Sequence, residues 1–154
     1  MTKLRALLPG AFALATLGFA ATAPFSSARA EVDPKSIALT QPADIKWTGD
    51  KVKSAILYGD PKKEGPYVML LRWPPNWQTR PHGHPNDRMI TVLEGTLWVG
   101  TGTKFHPETN TAVGKGGFVV DLAKQPHYEV TKSDGALIEI NGIWPDTMIP
   151  MEDK

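Results

Sequence analysis

The sequence predicts an all-β domain, either a sandwich or a barrel, and three observations support this. Short runs rich in Val, Ile, Leu, Thr and aromatic residues recur between turn residues, which is typical of strands. The chain contains 14 glycines and 14 prolines among its 154 residues, a density that interrupts any long helix. No window combines a helical period of apolar residues with capping residues. Short strands of this kind pack as a sandwich or close into a barrel.

Seven strands are predicted in chain order. The first two end at proline-containing turns, and the third and fourth are joined by a tight turn at Glu94-Gly95. The predicted strands span 52–58, 67–73, 89–93, 96–100, 118–121, 127–131 and 136–143. The predicted organisation is a signal peptide over 1–30, an extended N-terminal arm over 31–50, a barrel over 51–145 and a C-terminal tail over 146–154.

The N-terminus has the features of a secretory signal peptide. A positive start with Lys3 and Arg5 is followed by an apolar stretch over 7–23 and by small residues at Ala28 and Ala30. We therefore expect cleavage after Ala30 and a periplasmic or secreted mature protein. The alternative is an uncleaved anchor helix, which the small residues at the cleavage position disfavour.

Charge and cysteine content exclude several classes of function. The chain has 17 basic and 16 acidic residues and no basic run, which argues against nucleic acid and against an anionic membrane surface as partners. After residue 30, no apolar stretch approaches the ~20 residues of a spanning helix. Cysteine is absent, so a disulfide scaffold, a thiolate zinc site and a catalytic thiol are excluded. We find no nucleophile elbow and no phosphate-binding loop before a helix.

Three of the four histidines form a candidate metal site. His82 and His84 are two positions apart, so on a strand their side chains point to the same face. His127 belongs to a strand further along the chain and can add a third imidazole. Three imidazoles suit a divalent transition metal and leave coordination positions for water, dioxygen or a substrate. The alternative is a polar His-Gly-His loop without a metal. His106, in a polar loop, is expected to be solvated.

The segment around the first two histidines resembles the first motif of the cupin superfamily. The residues are Pro81-His82-Gly83-His84-Pro85-Asn86-Asp87-Arg88 followed by Val92-Leu93-Glu94-Gly95, of which His82, His84 and Gly95 match in register. The segment 122–127 is similar to the second motif, and only His127 matches its functional positions. The resemblance covers roughly residues 50 to 145 and implies a cupin-type jelly-roll barrel.

The resemblance also implies a ligand set, from which this chain departs at one position. His82, His84 and His127 stand at metal-ligand positions, but Arg88 or Met89 stands where the family has a metal-binding glutamate. We therefore expect a three-histidine centre for a divalent transition metal (Fe, Mn, Ni, Cu or Zn). Some cupins with this variant are iron-dependent dioxygenases. Without the glutamate the site carries more positive charge, which favours an anionic or enolate-forming substrate.

Arg88 and Glu129 are candidate catalytic residues on the inner face. Alternation along the strand after the second histidine places Arg88 inside, and the same argument places Glu129 on the face of His127. Arg88 is predicted either to pair with Glu129 or to bind a substrate carboxylate, because a buried guanidinium needs a partner. The alternative is a bulge that turns Arg88 outward, toward Asp87 or Glu94.

The chain contains five tryptophans. Most of them are expected to fill the barrel, because each ring buries a large apolar area. Trp73 and Trp77 flank the histidine segment and are candidates for lining an apolar ligand cavity.

Three functions are compatible with these features. The first is a dioxygenase-like small-molecule enzyme, and the second is a lyase or isomerase with the metal as Lewis acid and Glu129 or a water as base. The third is a protein that binds a metal or a small ligand without turnover. We expect an enzyme, because open coordination positions beside an apolar cavity suit catalysis. By analogy with other cupins, a homodimer is also expected, to which the N-terminal arm can contribute.

Overall fold

The computed structural model describes residues 32–153, which fall into two units. In the described part of the first unit, residues 32–37, the backbone N–H of Ser36 donates to the carbonyl of Asp33 (3.0 Å) in a short turn. Residues 38–153 belong to the second unit, a β-domain. The predicted signal peptide lies outside the described residues. Within residues 32–153, the structure contains no helix with the length and apolarity needed to cross a membrane.

The β-domain, as described over residues 38–153, is built from nine strands and two 3₁₀ turns, and this confirms the predicted all-β class. The 3₁₀ turns span Pro42–Asp44, within the predicted arm, and Pro107–Thr109. The strands are β1 (Lys53–Tyr58), β2 (Gly65–Trp73), β3 (His82–Gly83), β4 (Arg88–Thr101), β5 (Thr111–Gly114), β6 (Phe118–Asp121), β7 (His127–Val130), β8 (Ala136–Trp144) and β9 (Ile149–Pro150).

The strands form two antiparallel ladders that share β4. One has the order β1-β2-β8-β4-β6, and the other has the order β9-β3-β7-β4-β5. The first half of β4 pairs with β8 and β6, whereas its second half pairs with β7 and β5. Because one strand continues from the first ladder into the second, the sheet curls, as the jelly-roll prediction requires.

β4 runs unbroken through Glu94 and Gly95, so the predicted tight turn between two short strands is wrong. Its register against β8 shifts between Val92 and Glu94, which marks a bulge. Gly95 has φ +70°, and a Cβ there would lie 2.2 Å from the carbonyl oxygen of Gly135. The glycine therefore permits the bend at which β4 passes between ladders. A Glu-Gly pair is compatible with a turn or a bulge, and the neighbouring strands select the bulge.

The core lies on the inner faces of the curled sheet. Along the start of β4, buried and more exposed positions alternate, so Arg88, Ile90 and Val92 all point inward. The inward position of Arg88 thus follows from the same period that builds the core. The buried core residues are Tyr67, Trp73, Ile90, Val92, Leu97, Ala136, Ile138 and Ile140.

The segment predicted as a C-terminal tail adds a strand beside the first two histidines. β9 pairs with β3, with Pro150 opposite His82. The backbone N–H of Met151 donates to the carbonyl of Pro81 (2.9 Å). The Met151 side chain packs so closely on Gly83 that a Cβ at this glycine would lie 2.9 Å from its sulfur. The sheet therefore extends beyond residue 145.

Candidate metal centre

The three predicted ligands converge on one point inside the domain. His82 in β3 lies opposite His127 in β7, and His84 follows β3 directly. One ring nitrogen from each residue lies within 4.8 Å of the other two, and the ring centroids are 4.5 to 5.5 Å apart. All three side chains are buried. The spacing is close to that of ligands that share one ion.

Backbone carbonyls orient two of the three rings. Nδ1 of His82 lies 2.8 Å from the carbonyl oxygen of Arg80, and Nδ1 of His127 lies 3.0 Å from that of Gln125. Because a carbonyl can only accept a hydrogen bond, each Nδ1 carries the proton and donates. A neutral ring of this tautomer has its lone pair on Nε2, which is the form that ligates a metal.

His84 has a different environment. Its Nδ1 lies 2.7 Å from Oδ1 of Asp146. Nε2 of His84 and Nε2 of His127 have no hydrogen-bond partner among the described residues. Buried polar atoms without partners are rare in folded proteins unless an ion or a water satisfies them. These orphaned nitrogens therefore fit a bound metal ion.

Arg88 points inward and binds Asp121, a residue that was not predicted to belong to the site. Its Nε and Nη2 donate to Oδ2 of Asp121 at 3.2 and 2.6 Å. Glu129, one of the two predicted partners, is further away, with Oε1 4.0 Å from Nη2. The alternative of an outward Arg88 is wrong, because Asp87 accepts from a backbone N–H instead and Glu94 pairs with Arg72.

Two carboxylates of the site, Asp121 and Asp146, were not among the predicted residues. Asp121 ends β6 directly opposite Arg88 in the register of β4 and β6, so knowledge of that pairing would have found it. Asp146 follows β8 in the supposed tail, where no periodic pattern marks it. Its Oδ2 accepts a hydrogen bond from the hydroxyl of Tyr67 and lies 3.7 Å from Nη1 of Arg88.

Burial shifts the pKa values of two site residues, His82 and Glu129. It lowers the pKa of His82 to about 4, with further contributions from the neighbouring positive groups. The imidazole therefore stays neutral, as a ligand must, at neutral pH. Burial also raises the pKa of Glu129, and the nearby positive charge of Arg88 offsets this only in part.

The ionic contacts of Arg88 outweigh the cost of burying its charge. Burial opposes its protonated form, but Asp121, Glu129 and Asp146 raise its pKa above the ordinary value. Burial likewise favours a protonated Asp146, but the contacts with His84, Tyr67 and Arg88 leave its pKa below the ordinary value. Arg88 is therefore a fixed internal cation.

The charge of the site differs from the sequence-based expectation of excess positive charge. Three carboxylates, from Asp121, Glu129 and Asp146, surround one guanidinium. When all are ionised, these four groups carry a formal charge of minus two, which one divalent cation neutralises. Because Arg88 is engaged by these acids, it is not available as a separate clamp for a substrate carboxylate.

A cavity of about 460 Å³ adjoins the histidine cluster. As expected, Trp73 and Trp77 line it, together with other apolar residues, and His82 forms part of its wall. The guanidinium of Arg80, which also lines it, is paired with Glu152 through Nε at 3.0 Å. The wall is therefore largely apolar and carries no unpaired charge among the described residues.

A second, smaller cavity of about 150 Å³ reaches the cluster on the side of His127. Asp121, His127 and Glu129 are among its lining residues, whereas Glu129 and Arg88 do not line the larger cavity.

As expected, the ring of His106 is exposed. It lies 3.2 Å from Glu108.

Comparison with known proteins identifies the architecture. No family model matches the chain, and no curated protein matches it by sequence. The polyketide cyclase RemF from Streptomyces resistomycificus superposes with a TM-score of 0.63 at 18% identity, over 77% of this chain and 87% of RemF. The DMSP lyase DddQ from Ruegeria pomeroyi DSS-3 superposes with a TM-score of 0.57 at 14% identity, over 72% of this chain and 64% of DddQ. An RmlC-like cupin from Shewanella frigidimarina NCIMB 400 superposes with a TM-score of 0.55 at 12% identity, over 68% of this chain and 87% of that cupin. The nine-stranded domain of this chain therefore has the cupin fold.

Proposed function

We propose that the protein is a metal-dependent enzyme that acts on a small, uncharged and largely apolar organic molecule. The observation that carries the proposal is the position of His82. This residue belongs to the cluster of three converging imidazoles and also forms part of the wall of the 460 Å³ cavity. A ligand in the cavity would therefore meet the ion at the inner wall.

His82, His84 and His127 would hold the ion. A divalent cation bound there acts as a Lewis acid that polarises a carbonyl or a similar oxygen of the substrate. The two backbone carbonyls that fix the tautomers of His82 and His127 keep the donor atoms in place before the ion arrives. Burial of the rings excludes bulk water from the reacting centre.

The lining of the larger cavity supports an apolar substrate. Its volume lies within the ~300–1,000 Å³ of typical small-molecule sites and is bounded by Trp73, Trp77 and Leu71. Gln78 also lines the cavity and supplies a polar side chain that can orient a ligand. When Asp121, Glu129 and Asp146 are all ionised, a divalent ion bound at the cluster leaves no excess positive charge to attract an anion.

A non-oxidative reaction is the first candidate, because it needs only the Lewis acid and the apolar cavity. The cyclase and the lyase among the structural neighbours are consistent with this class. A dioxygenase-like reaction is the second candidate, and a specific feature favours it. The separate 150 Å³ cavity at His127 and Glu129 has room for a second small molecule such as dioxygen, since one water takes up only about 30 Å³.

Metal analysis tests the proposal directly. Protein purified without a polyhistidine tag is expected to contain a divalent transition metal, and His82→Ala and His127→Ala are expected to lose it. His106→Ala is the matched control, because it removes an exposed imidazole and should keep the metal. A metal-free protein that cannot be reconstituted would refute the centre.

A substrate panel then separates the remaining functions. The metal-loaded protein is offered uncharged aromatic ketones, esters and diketones with and without dioxygen. Turnover without dioxygen supports the non-oxidative enzyme, and dioxygen consumption coupled to turnover supports the dioxygenase. Tight metal binding without turnover across the panel would overturn the enzymatic proposal in favour of a binding protein.

A further inference from the structure

The two cavities that reach the imidazole cluster have walls of opposite charge. The wall of the larger cavity includes His82, and its charged side chain is the guanidinium of Arg80. The wall of the smaller cavity includes His127, and its charged side chains are the carboxylates of Asp121 and Glu129. A divalent cation that approaches the cluster therefore meets a basic group through one cavity and two acids through the other.

The smaller cavity extends from the protein surface to a buried imidazole. Among its lining residues, Leu122 and Gln125 are exposed, whereas Asp121 and His127 are only 6% and 7% exposed. Thr101 of β4, which also lines this cavity and is exposed, lies opposite His127 of β7 in the ladder register. Register partners have their side chains on the same face of a sheet. The opening of the cavity is therefore next to the ring of His127.

Nε2 of His127 connects the acids of this cavity to the imidazole cluster. This buried nitrogen has no hydrogen-bond partner among the described residues. It is 3.5 Å from Oδ2 of Asp121 and 3.7 Å from Oε1 of Glu129. The ligand atoms of these three residues lie within 4.8 Å of one another, and so do those of His82, His84 and His127. His127 is therefore shared by two candidate ligand sets.

The acidic set is suited to pass an ion on and not to retain it. Oδ2 of Asp121 accepts two hydrogen bonds from Arg88 at 2.6 and 3.2 Å, and removal of a partner from a buried guanidinium is strongly unfavourable. The charge of Arg88 also repels a second cation beside these acids. Nε2 of His84, by contrast, has no partner to lose. An ion that keeps His127 as a ligand would therefore move from the acids to the other imidazoles.

The larger cavity offers no comparable ligands to an incoming ion. Its wall contains Leu71, Trp73 and Trp77, and the exposed Arg80 adds a positive charge. Divalent cations in proteins take oxygen or nitrogen ligands in place of the water that they lose. Apolar side chains cannot replace that water, so passage along this wall carries an uncompensated cost of dehydration.

We propose that the smaller cavity is the entry route of the metal ion, in which Asp121 and Glu129 attract a divalent cation and deliver it to His127. A cleft lined by one sign of charge raises the local concentration of the opposite ion and its rate of association. This inference rests on the proposed metal centre. It gives the two cavities separate roles, because the organic ligand is assigned to the larger one.

The test places a charge at the opening of each cavity in turn. Gln125 is exposed and lines the smaller cavity, and Gln78 is exposed and lines the larger one. Gln125→Lys and Gln78→Lys therefore make the same change at the two openings. The Gln125 carbonyl that accepts from His127 belongs to the backbone and is retained. Cu²⁺ is added to the metal-free protein, and quenching of tryptophan fluorescence gives the association rate constant. Release to an excess of chelator gives the dissociation rate constant.

We expect Gln125→Lys to lower the association rate constant about fivefold at low ionic strength and Gln125→Glu to raise it by a similar factor, because one added charge acts on a divalent ion nearby. Physiological salt should reduce both effects. A residue on the route affects entry and exit alike, so the dissociation rate constant should change in the same direction and the equilibrium affinity should be nearly unchanged. Gln78→Lys should have the rate constants of the wild type.

Three results would overturn the route. They are wild-type rate constants in both Gln125 variants, slower uptake in Gln78→Lys alone, and weaker binding by Gln125→Lys that comes only from faster release, since the charge would then act on the bound ion. Failure of the wild type to bind copper would instead refute the metal centre itself. Circular dichroism identifies a Gln125 variant that has lost its fold, and the other variant then decides.

Discussion

Arg88 and Asp121 are register partners across β4 and β6, and their side chains meet in the interior through Nε and Nη2 at 3.2 and 2.6 Å. The pair forms the centre of an acidic cluster that also includes Glu129 and Asp146. The adjacency of the two strands thus determines which acid neutralises the buried cation, and the remaining acids stay close to the imidazoles.

Removal of Arg88 alone is expected to destabilise the metal-free protein. Arg88→Met leaves Asp121 buried without its partner, and breaking a buried pair in this way costs about 3–5 kcal/mol. The free energy of unfolding is measured in urea at neutral pH. The double variant Arg88→Met with Asp121→Asn should recover part of the loss, because no unpaired charge remains at that position. A single variant as stable as the wild type would contradict the structure.

The metal-free protein is expected to lose stability as the pH falls from about 6.5 to about 4. The pKa of His82 in the folded state is about 4 because burial disfavours the charged ring, whereas an exposed histidine has a pKa of about 6.5. In this interval the unfolded chain binds more protons than the folded chain, so protonation favours unfolding. Below the folded value no further loss comes from this residue.

Two measurements check the His82 prediction. The ring protons followed by NMR in the metal-free protein should titrate with a midpoint near 4, and His82→Phe should reduce the dependence of unfolding free energy on pH. His106→Ala removes an exposed ring and provides the control. A His82 midpoint near 6.5 would show that the ring is not buried as described.

The larger cavity is expected to bind an uncharged aromatic probe. N-phenyl-1-naphthylamine should gain fluorescence on binding, because Trp77 and Leu71 supply an apolar wall. Leu71→Glu places a charge in that wall and should abolish the gain. Phe118→Glu is the control, because Phe118 is exposed and lies outside the cavity. Equal probe binding by both variants would place the apolar site elsewhere.

Export is proposed from the sequence alone. The chain should be cleaved after Ala30, so the intact mass of protein recovered from the periplasm or medium should correspond to a chain that begins at Glu31. Ala30→Arg, which places a large residue at the cleavage position, should leave the uncleaved chain in the membrane fraction. Recovery of uncleaved wild-type protein from the cytosol would contradict the proposal.

Local periodicity explains which parts of the site the sequence could predict. The inward positions of Arg88 and Glu129 follow from alternation along single strands, and this period is independent of the rest of the fold. The pairing of Arg88 with Asp121 depends on which strands become neighbours. Strand neighbours are set by the long-range topology of the fold, and a single sequence does not reveal that topology.

Other parts were missed because their signals are ambiguous or lie outside periodic segments. Glu94-Gly95 suits a hairpin turn as well as a bulge, and only the shared use of β4 by both ladders selects the bulge. Asp146 follows the last long strand and has no patterned neighbours. Its role becomes visible only through Tyr67 and His84, which come from distant parts of the chain.

β9 pairs with the outer edge of β3, the strand that begins at His82, and this pairing has a consequence during synthesis of the chain. β3 leaves the ribosome well before residue 150, which lies opposite His82. Until then one side of β3 is an open edge that can pair with other chains. Chains truncated before residue 149 should therefore aggregate more readily than chains that retain β9 at equal concentration.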